Sequence, residues 1–230
     1  MKFDRLYLFR LVERYQRFLV DVKGEDGRIL TAHCPNTGSM RGCLEPGSPV
    51  LLSWSGNRKR KYPYTLEMIY TRGTWVGVNT SRTNHLVREA LENGIIKEFS
   101  GIELIKQEVK VSEGSRLDFF IICHVGQVYM EVKNCTLVED GIAMFPDAVT
   151  KRGSKHLQDL IRLKGEGYET AVFFCVQRMD GRLFAPAVHI DPGYGQKLNE
   201  AAEAGVKILA YQACTGKDEI RITGVLPVRQ

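Results

Sequence analysis

No stretch of the 230-residue chain approaches the length of a membrane span, and no internal repeat or low-complexity tract is visible. A membrane partner and a solenoid architecture are therefore not expected. Met1 to Tyr15 is interrupted by Lys2, Asp4, Arg5, Arg10, Glu13 and Arg14, which leaves no continuous apolar core for a secretory signal. A cytoplasmic location is the expectation. The six cysteines, Cys34, Cys43, Cys123, Cys135, Cys175 and Cys214, form no C-x-x-C pair and no Cys/His pairing at zinc-finger spacing. Most stand in apolar runs and are expected to be core thiols, with no zinc and no disulfide needed for folding; Cys34 alone has a context in which a nucleophile is conceivable.

What is present is unevenly distributed. Residues 1–80 carry 13 Lys and Arg against 7 Asp and Glu, a net of +6, whereas residues 81–230 carry 19 against 20. All of the basic excess lies in the first third, which suggests a polyanion-binding module joined to a near-neutral one. That first third reads as all-β. Short apolar stretches at Arg17 to Val22, Arg28 to His33, Pro49 to Trp54, Thr65 to Tyr70 and Thr74 to Val78 are separated by Gly24, Gly27, Gly38, Gly42, Gly47, Gly56 and Gly73. Five short strands in this length fit a small OB-like barrel. Arg58, Lys59, Arg60, Lys61, Tyr62 and Tyr64 supply cations for phosphates and rings for bases in one place; a solvated basic loop would read the same way.

Further along, Asp118 and the triplet Glu131-Val132-Lys133 sit inside runs that otherwise read as buried strand. Arg116 to Ile122 and Gln127 to Lys133 are joined by His124-Val125-Gly126, which suits a tight antiparallel hairpin. Alternation then puts Glu131 and Lys133 on one face and Val128, Met130 and Val132 on the other. Two carboxylates and one amine converge. Buried like charges are costly unless a cation compensates them, and a hard divalent ion such as Mg²⁺ or Mn²⁺ is the natural one. The pattern is loose, and an ordinary Glu/Lys pair at a strand end satisfies it equally well.

Between these regions the spacing becomes helical. Ser81 or Thr83 can cap a helix ending near Asn93-Gly94, with Leu86, Val87, Ala90 and Leu91 buried and Glu89 at the flank of that arc. Strands follow at Glu103 to Val111, Arg116 to Cys123 and Gln127 to Cys135, then a helix from Ser154 to Lys164 and a strand at Thr170 to Gln177. A helix at Tyr194 to Ala204 and a strand at Val206 to Ala213 complete the order, and Glu219 to Val225 is either a sheet edge or a return to the first module. Helices alternating with the later strands imply a mixed central sheet covered on both faces.

Four stretches now carry a resemblance: Cys34-Pro35-Asn36-Thr37-Gly38-Ser39-Met40, Ser115 to Phe119, Glu131 to Leu137, and Phe145 to Leu157. Together they resemble the sugar fermentation stimulation protein A (SfsA) family over essentially the whole chain. The resemblance implies an OB-like five-stranded β-barrel over residues 1–80. It also implies an α/β restriction-endonuclease-like, PD-(D/E)XK domain over 81–230. On that pattern Asp118 matches the metal-binding aspartate, Glu131 the second carboxylate, Lys133 the lysine and Glu89 the acidic residue of the first helix. Leu117 stands where the name-giving motif has proline.

The implied function is DNA binding, sequence-nonspecific and linked to regulation of sugar (maltose) metabolism. A Mg²⁺- or Mn²⁺-dependent endodeoxyribonuclease is the first alternative and an RNA-binding protein the second. Arg152, Ser154, Lys155 and His156 gather at the start of the second long helix, where a nucleic-acid phosphate or simple capping by Ser154 accounts for them. The Asn36-Thr37-Gly38-Ser39 loop suggests no reaction; a tight turn with Gly38 at positive φ suffices to explain it.

Overall fold

A computed structural model describes residues 1–57 and 59–229. The basic excess of the first third is carried by a barrel of β1 (Leu6–Tyr15), β2 (Leu19–Lys23), β3 (Ile29–His33), β4 (Pro49–Trp54) and β5 (Tyr64–Thr71), with β6 (Thr74–Gly77) added outside. The strands hydrogen-bond in the order β3-β2-β1-β4-β5-β6, and β3 returns to β5 to close the ring. The five-stranded OB-like barrel is therefore present, with one change of membership: β1 falls where the sequence reads merely as charged, and the expected strand at Thr74 to Val78 is the appended one. Charge concealed β1. Arg10 donates to the Gly47 carbonyl, and Arg14 donates to those of Arg17, Asn36, Gly38 and Ser39, so these cations bind the barrel's own backbone.

The second part comprises α1 (Thr83–Glu92), β7 (Leu104–Ser112), β8 (Ser115–Cys123), β9 (Gly126–Cys135), β10 (Leu137–Glu139), β11 (Ile142–Phe145), α2 (Lys151–Gly165), β12 (Glu169–Val176), β13 (Leu183–Pro186), α3 (Pro192–Glu203), β14 (Lys207–Thr215) and β15 (Ile220–Val225). Its main sheet runs β15-β14-β12-β9-β8-β7. The strands β9, β12 and β14 are parallel and their flanks antiparallel, which makes the sheet mixed. Apolar residues of α1 cover one face and those of α2 and α3 the other. A three-stranded sheet, β10-β11-β13, was not foreseen; strands of 3 to 4 residues are too short to show a period of two.

Two helix starts also differ from expectation. Asn79, not Ser81 or Thr83, caps a 3-10 turn over Thr80–Arg82 that runs directly into α1. In α2 the Thr150 side chain accepts from Gly153 N, so the helix begins at Lys151 rather than at Ser154. The last strand, β15, is the edge of the mixed sheet, and the Met1 amine donates to the Ile220 carbonyl beside it.

Leu51 and Met68 of the barrel share a hydrophobic cluster with Leu86 of α1 and with Phe119, Met130 and Phe173 of the sheet. Burial of this kind contributes roughly 1.5–3 kcal/mol per large apolar side chain. Gly77 fixes the junction locally: it donates to the Gln177 carbonyl, and a β-carbon there would fall 2.4 Å from the Gln177 side-chain oxygen. Five of the six cysteines are buried in these clusters and elsewhere in the interior, and Cys214 is half-buried. Burial pushes the Cys43 thiol up to about 11 and that of Cys175 to about 12, conditions under which thiols are inert. Among the described residues no helix is long and apolar enough to cross a membrane.

Candidate active site between the barrel and the mixed sheet

The hairpin β8-β9 brings Asp118, Glu131 and Lys133 together, with Val128, Met130 and Val132 in the opposite cluster as alternation requires. One strand departs from simple alternation. Ser115 donates to Asp159 of α2 and Leu117 joins the α2 cluster, whereas Phe119 and Ile121 lie in the α1 cluster. Residues of one parity thus change faces at Asp118. Backbone pairing to β9 also stops there, and Val132 N donates to Asp118 Oδ2 at 2.7 Å. The side chain replaces a main-chain acceptor, which holds the carboxylate where the β8-β9 pairing ends.

The two carboxylates have unlike surroundings. Asp118 Oδ1 accepts from Asn84 Nδ2 at 2.8 Å. Burial, followed by the charge of Glu131, pushes the Asp118 carboxyl up to about 6, against the two hydrogen bonds and Lys133. Burial also drives Glu131 upward, but Lys133 and His156 outweigh it and hold this carboxyl below its ordinary range. Lys133 Nζ donates to Glu131 Oε1 at 2.6 Å, and His156 Nδ1 donates to the same oxygen. Arg152 Nε lies 3.4 Å from His156 Nε2, and Lys133 Nζ 3.2 Å from its Nδ1. Glu131 Oε2 is buried with no partner.

An orphaned buried carboxylate oxygen beside a second carboxylate is costly unless something positive joins it. The donor set is two carboxylates, and no cluster of three His, Cys, Asp or Glu suited to a metal occurs among the described residues. That set fits a hard ion that keeps several waters, the habit of Mg²⁺ and related cations.

Asp118, Asn84 and Lys133 open into a cleft of about 520 Å³. Its far wall is the Asn36 to Ser39 loop of the barrel, and Pro146 to Thr150 closes one end. The loop for which the sequence suggests no reaction thus has a structural place. Ser39 Oγ donates to the Asp147 carbonyl and Met40 N to its carboxylate, both at 2.7 Å. Gly38 is not at positive φ, as the sequence suggested; Met40 is. The glycine is needed for room, because a β-carbon there would lie 3.0 Å from Asn36 Oδ1 and 3.2 Å from the Asp147 carboxylate.

Glu89 does not join the cluster. It pairs with the Met1 amine at 2.7 Å and lines a different hollow with Arg221. Asn84 takes its place at Asp118, and five residues of helix put the two side chains on widely separated arcs. An amide carries no motif signal, so nothing in the sequence marks Asn84. His156 is buried and bound to Glu131, which removes it from the expected phosphate-binding group. Arg152 and Lys155 are exposed and Ser154 half-buried; Lys155 turns toward the Gly114 carbonyl and Ser154 bonds Thr150. In the barrel, Lys59, Arg60 and Lys61 are exposed and Arg58 lies outside the described residues. Lys61 sits over the Tyr62 ring. Tyr64 packs edge-on against Tyr7 and Phe9, so its ring serves the barrel and is not an open stacking surface.

Residues 12–78 match the family described as the SfsA N-terminal OB domain, and residues 81–219 the one described as the sugar fermentation stimulation protein RE domain. A sugar fermentation stimulation protein homolog of Desulfotalea psychrophila is 54% identical over 204 residues, covering 89% of this chain and 86% of that protein. Its counterpart in Geobacter sulfurreducens is 51% identical over 223 residues, covering 97% and 96%. The structure of Pyrococcus furiosus SfsA in complex with Ca²⁺ superposes with a TM-score of 0.92 at 29% identity, covering 100% of this chain and 98% of that one.

Proposed function

The chain belongs to the sugar fermentation stimulation protein family, and from that premise we propose that it is a DNA-binding protein whose cleft hydrolyses phosphodiester bonds with a divalent cation. One observation carries the reading: Asp118 and Lys133 line a cleft, and Glu131, buried and bound to Lys133, keeps one carboxylate oxygen without a partner. Ca²⁺ accompanies the Pyrococcus relative, and a bound hard ion in that relative supports a hard-ion site here. On this reading the mixed sheet is a nuclease-like scaffold.

Asp118 and Glu131 would hold the cation, which supplies Lewis acidity at a phosphoryl oxygen. Every other part belongs to the chain. Asn84 and Val132 N keep Asp118 oriented, and His156 does the same for Glu131. Lys133 lies in the cleft with its ammonium at Glu131, where it can orient a water and neutralise the charge that develops on the phosphate. The Asn36 to Ser39 loop and Thr150 line the same cleft as Asp118 and Lys133.

A second reading, DNA binding without cleavage in the regulation of sugar metabolism, is favoured by the basic excess of residues 1–80 and the exposed Lys59, Arg60 and Lys61. Incubating pure protein with single-stranded, nicked, branched and duplex DNA in Mg²⁺, Mn²⁺ or chelator separates the two. Metal-dependent cleavage that disappears in Asp118→Asn supports hydrolysis. Binding with no cleavage of any substrate supports the regulator.

A further inference from the structure

A second cleft, of about 540 Å³, lies on the other side of the ridge that bounds the first. The ridge is formed where Thr80 Oγ1 donates to the Pro35 carbonyl at 2.6 Å. Asn36 and Thr80 face the carboxylate cleft, whereas their neighbours Pro35, Asn79 and Ser81 face the second one. The two hollows are therefore back to back across a narrow wall.

Both carry cations: Arg14, Arg17 and Lys133 line the first beside Asp118 and Asp147. The second cleft is bordered by Lys2, Arg5, Arg60 and Arg82 against Asp4 and Glu67. Glu67 is buried and already saturated by Arg82, Ser53 and Asn79. Lys2, Arg5 and Arg60 have no carboxylate partner within salt-bridge distance among the described residues. At the cleft's rim stands Trp54, the last residue of β4, with 51% of its surface exposed. An exposed indole is an expensive thing to leave in water.

We propose that this second cleft is a site for single-stranded nucleic acid, in which Trp54 stacks an unpaired base and Lys2, Arg5 and Arg60 hold the flanking phosphates. Duplex bases have their faces covered by neighbours, so an indole platform selects a strand whose bases are free. Three unpaired cations select an anion over a neutral sugar that the indole alone would accept. The cleft thus fits a strand that continues over the Pro35 and Thr80 ridge into the carboxylate cleft. This continuation rests on the phosphodiester reading of the first cleft; the strand site itself does not.

The test is fluorescence anisotropy with chelator present, using an oligothymidine of about fifteen residues, its oligouridine counterpart and a duplex of the same length. Trp54→Ala is expected to weaken single-strand binding by roughly 5- to 100-fold and to leave duplex binding unchanged. Trp54→Phe should lose less. Arg5→Ala with Arg60→Ala should lower the salt slope for the single strand by about 0.7 for each phosphate no longer neutralised. A fold-independent check uses the wild type, whose only other tryptophan is Trp75: the oligomer should quench emission, and Trp54→Phe should remove the quench.

Weaker binding of either the thymidine or the uridine oligomer on Trp54→Ala supports the site and identifies its sugar. Unchanged binding of both, or an equal weakening for duplex, overturns it, as does quenching that survives Trp54→Phe. Asp118→Asn is carried in parallel. Failure of the phosphodiester reading appears as absent cleavage and absent metal binding, with the Trp54 effects intact, so the two failures are distinguishable.

Discussion

The two clefts are cut into the same boundary between barrel and mixed sheet, yet each takes its chemistry from a different side of it. In the first, Asp118, Lys133 and Asn84 come from the hairpin β8-β9 and α1, and the barrel supplies Arg14, Arg17 and the Asn36 to Ser39 loop clamped by Asp147. In the second, the chain's first residues and the barrel strands β3, β4 and β5 contribute most of the lining, and the second part adds only Ser81, Arg82 and His85. The first cleft presents Asp118 and Asp147 beside Lys133, Arg14 and Arg17, with Glu131 buried at Lys133; the second presents cations and an exposed ring. On the proposed reading, strand capture and phosphodiester chemistry would be divided between the two scaffolds, which share a core that includes Leu51 and Met68. Rigid packing at that joint keeps the two sites in register.

The division breaks most visibly at Asp118. Asp118→Asn removes a charge and the proposed metal ligand while keeping the side chain's size, so cleavage in Mg²⁺ should fall by about 100-fold or more. Metal-free DNA affinity should hold or rise, because repulsion toward phosphate is relieved. Lys133→Ala should also abolish cleavage, but it should lower affinity slightly by removing a cation. Identical effects on binding from the two variants would contradict the assignment of opposite charges to one site.

A pH titration sharpens the same contrast. Asp118 is raised to about 6 by burial and by Glu131, so lowering the pH through that value should protonate the proposed ligand and weaken any divalent ion held there. Metal affinity should fall by up to about tenfold per pH unit below about 6, and single-strand affinity measured in chelator should not fall with it. The sign also applies to stability. A carboxyl whose folded value lies above its unfolded value favours the metal-free fold below about 6 and loses that contribution as pH rises, so added metal should stabilise the protein more at neutral pH than at pH 5. A melting curve with and without Mn²⁺ at the two pH values reports it.

The smallest expected effect is at the basic loop. Replacing Lys59, Arg60 and Lys61 by alanine should weaken binding to every sequence alike, and the salt slope for duplex should drop by up to about 0.9 for each phosphate left without its cation. An unchanged slope would leave that loop to solvent and confine strand capture to Lys2, Arg5 and Trp54. No change in melting temperature beyond about 2–4 °C is expected, because the replaced side chains are exposed.

Much of this arrangement is legible in the residues alone. Alternation along Gln127 to Lys133 places Glu131 and Lys133 on one face, because one side of that hairpin is buried and the register is strongly specified. The order of helices and strands after Thr80 emerges from clean changes of period. What escapes has identifiable reasons. The face change at Asp118 breaks the period of two at the residue that matters most. Strand β1 hides its role because its arginines bind backbone carbonyls rather than solvent. Asn84, Asp147 and Trp54 act through tertiary neighbours, and no local pattern announces such neighbours. Motif analogy puts Glu89 in the cluster, but the chain start at Met1 claims it instead.

Calorimetric titration of Mn²⁺ into the wild type, Asp118→Asn and Trp54→Ala tests most directly whether the first cleft is a metal site and the second is not. About one equivalent should bind to the wild type and to Trp54→Ala, with binding abolished or greatly weakened in Asp118→Asn. Equal Mn²⁺ affinity in all three, or failure to bind in Trp54→Ala alone, would contradict a divalent site at Asp118 and Glu131.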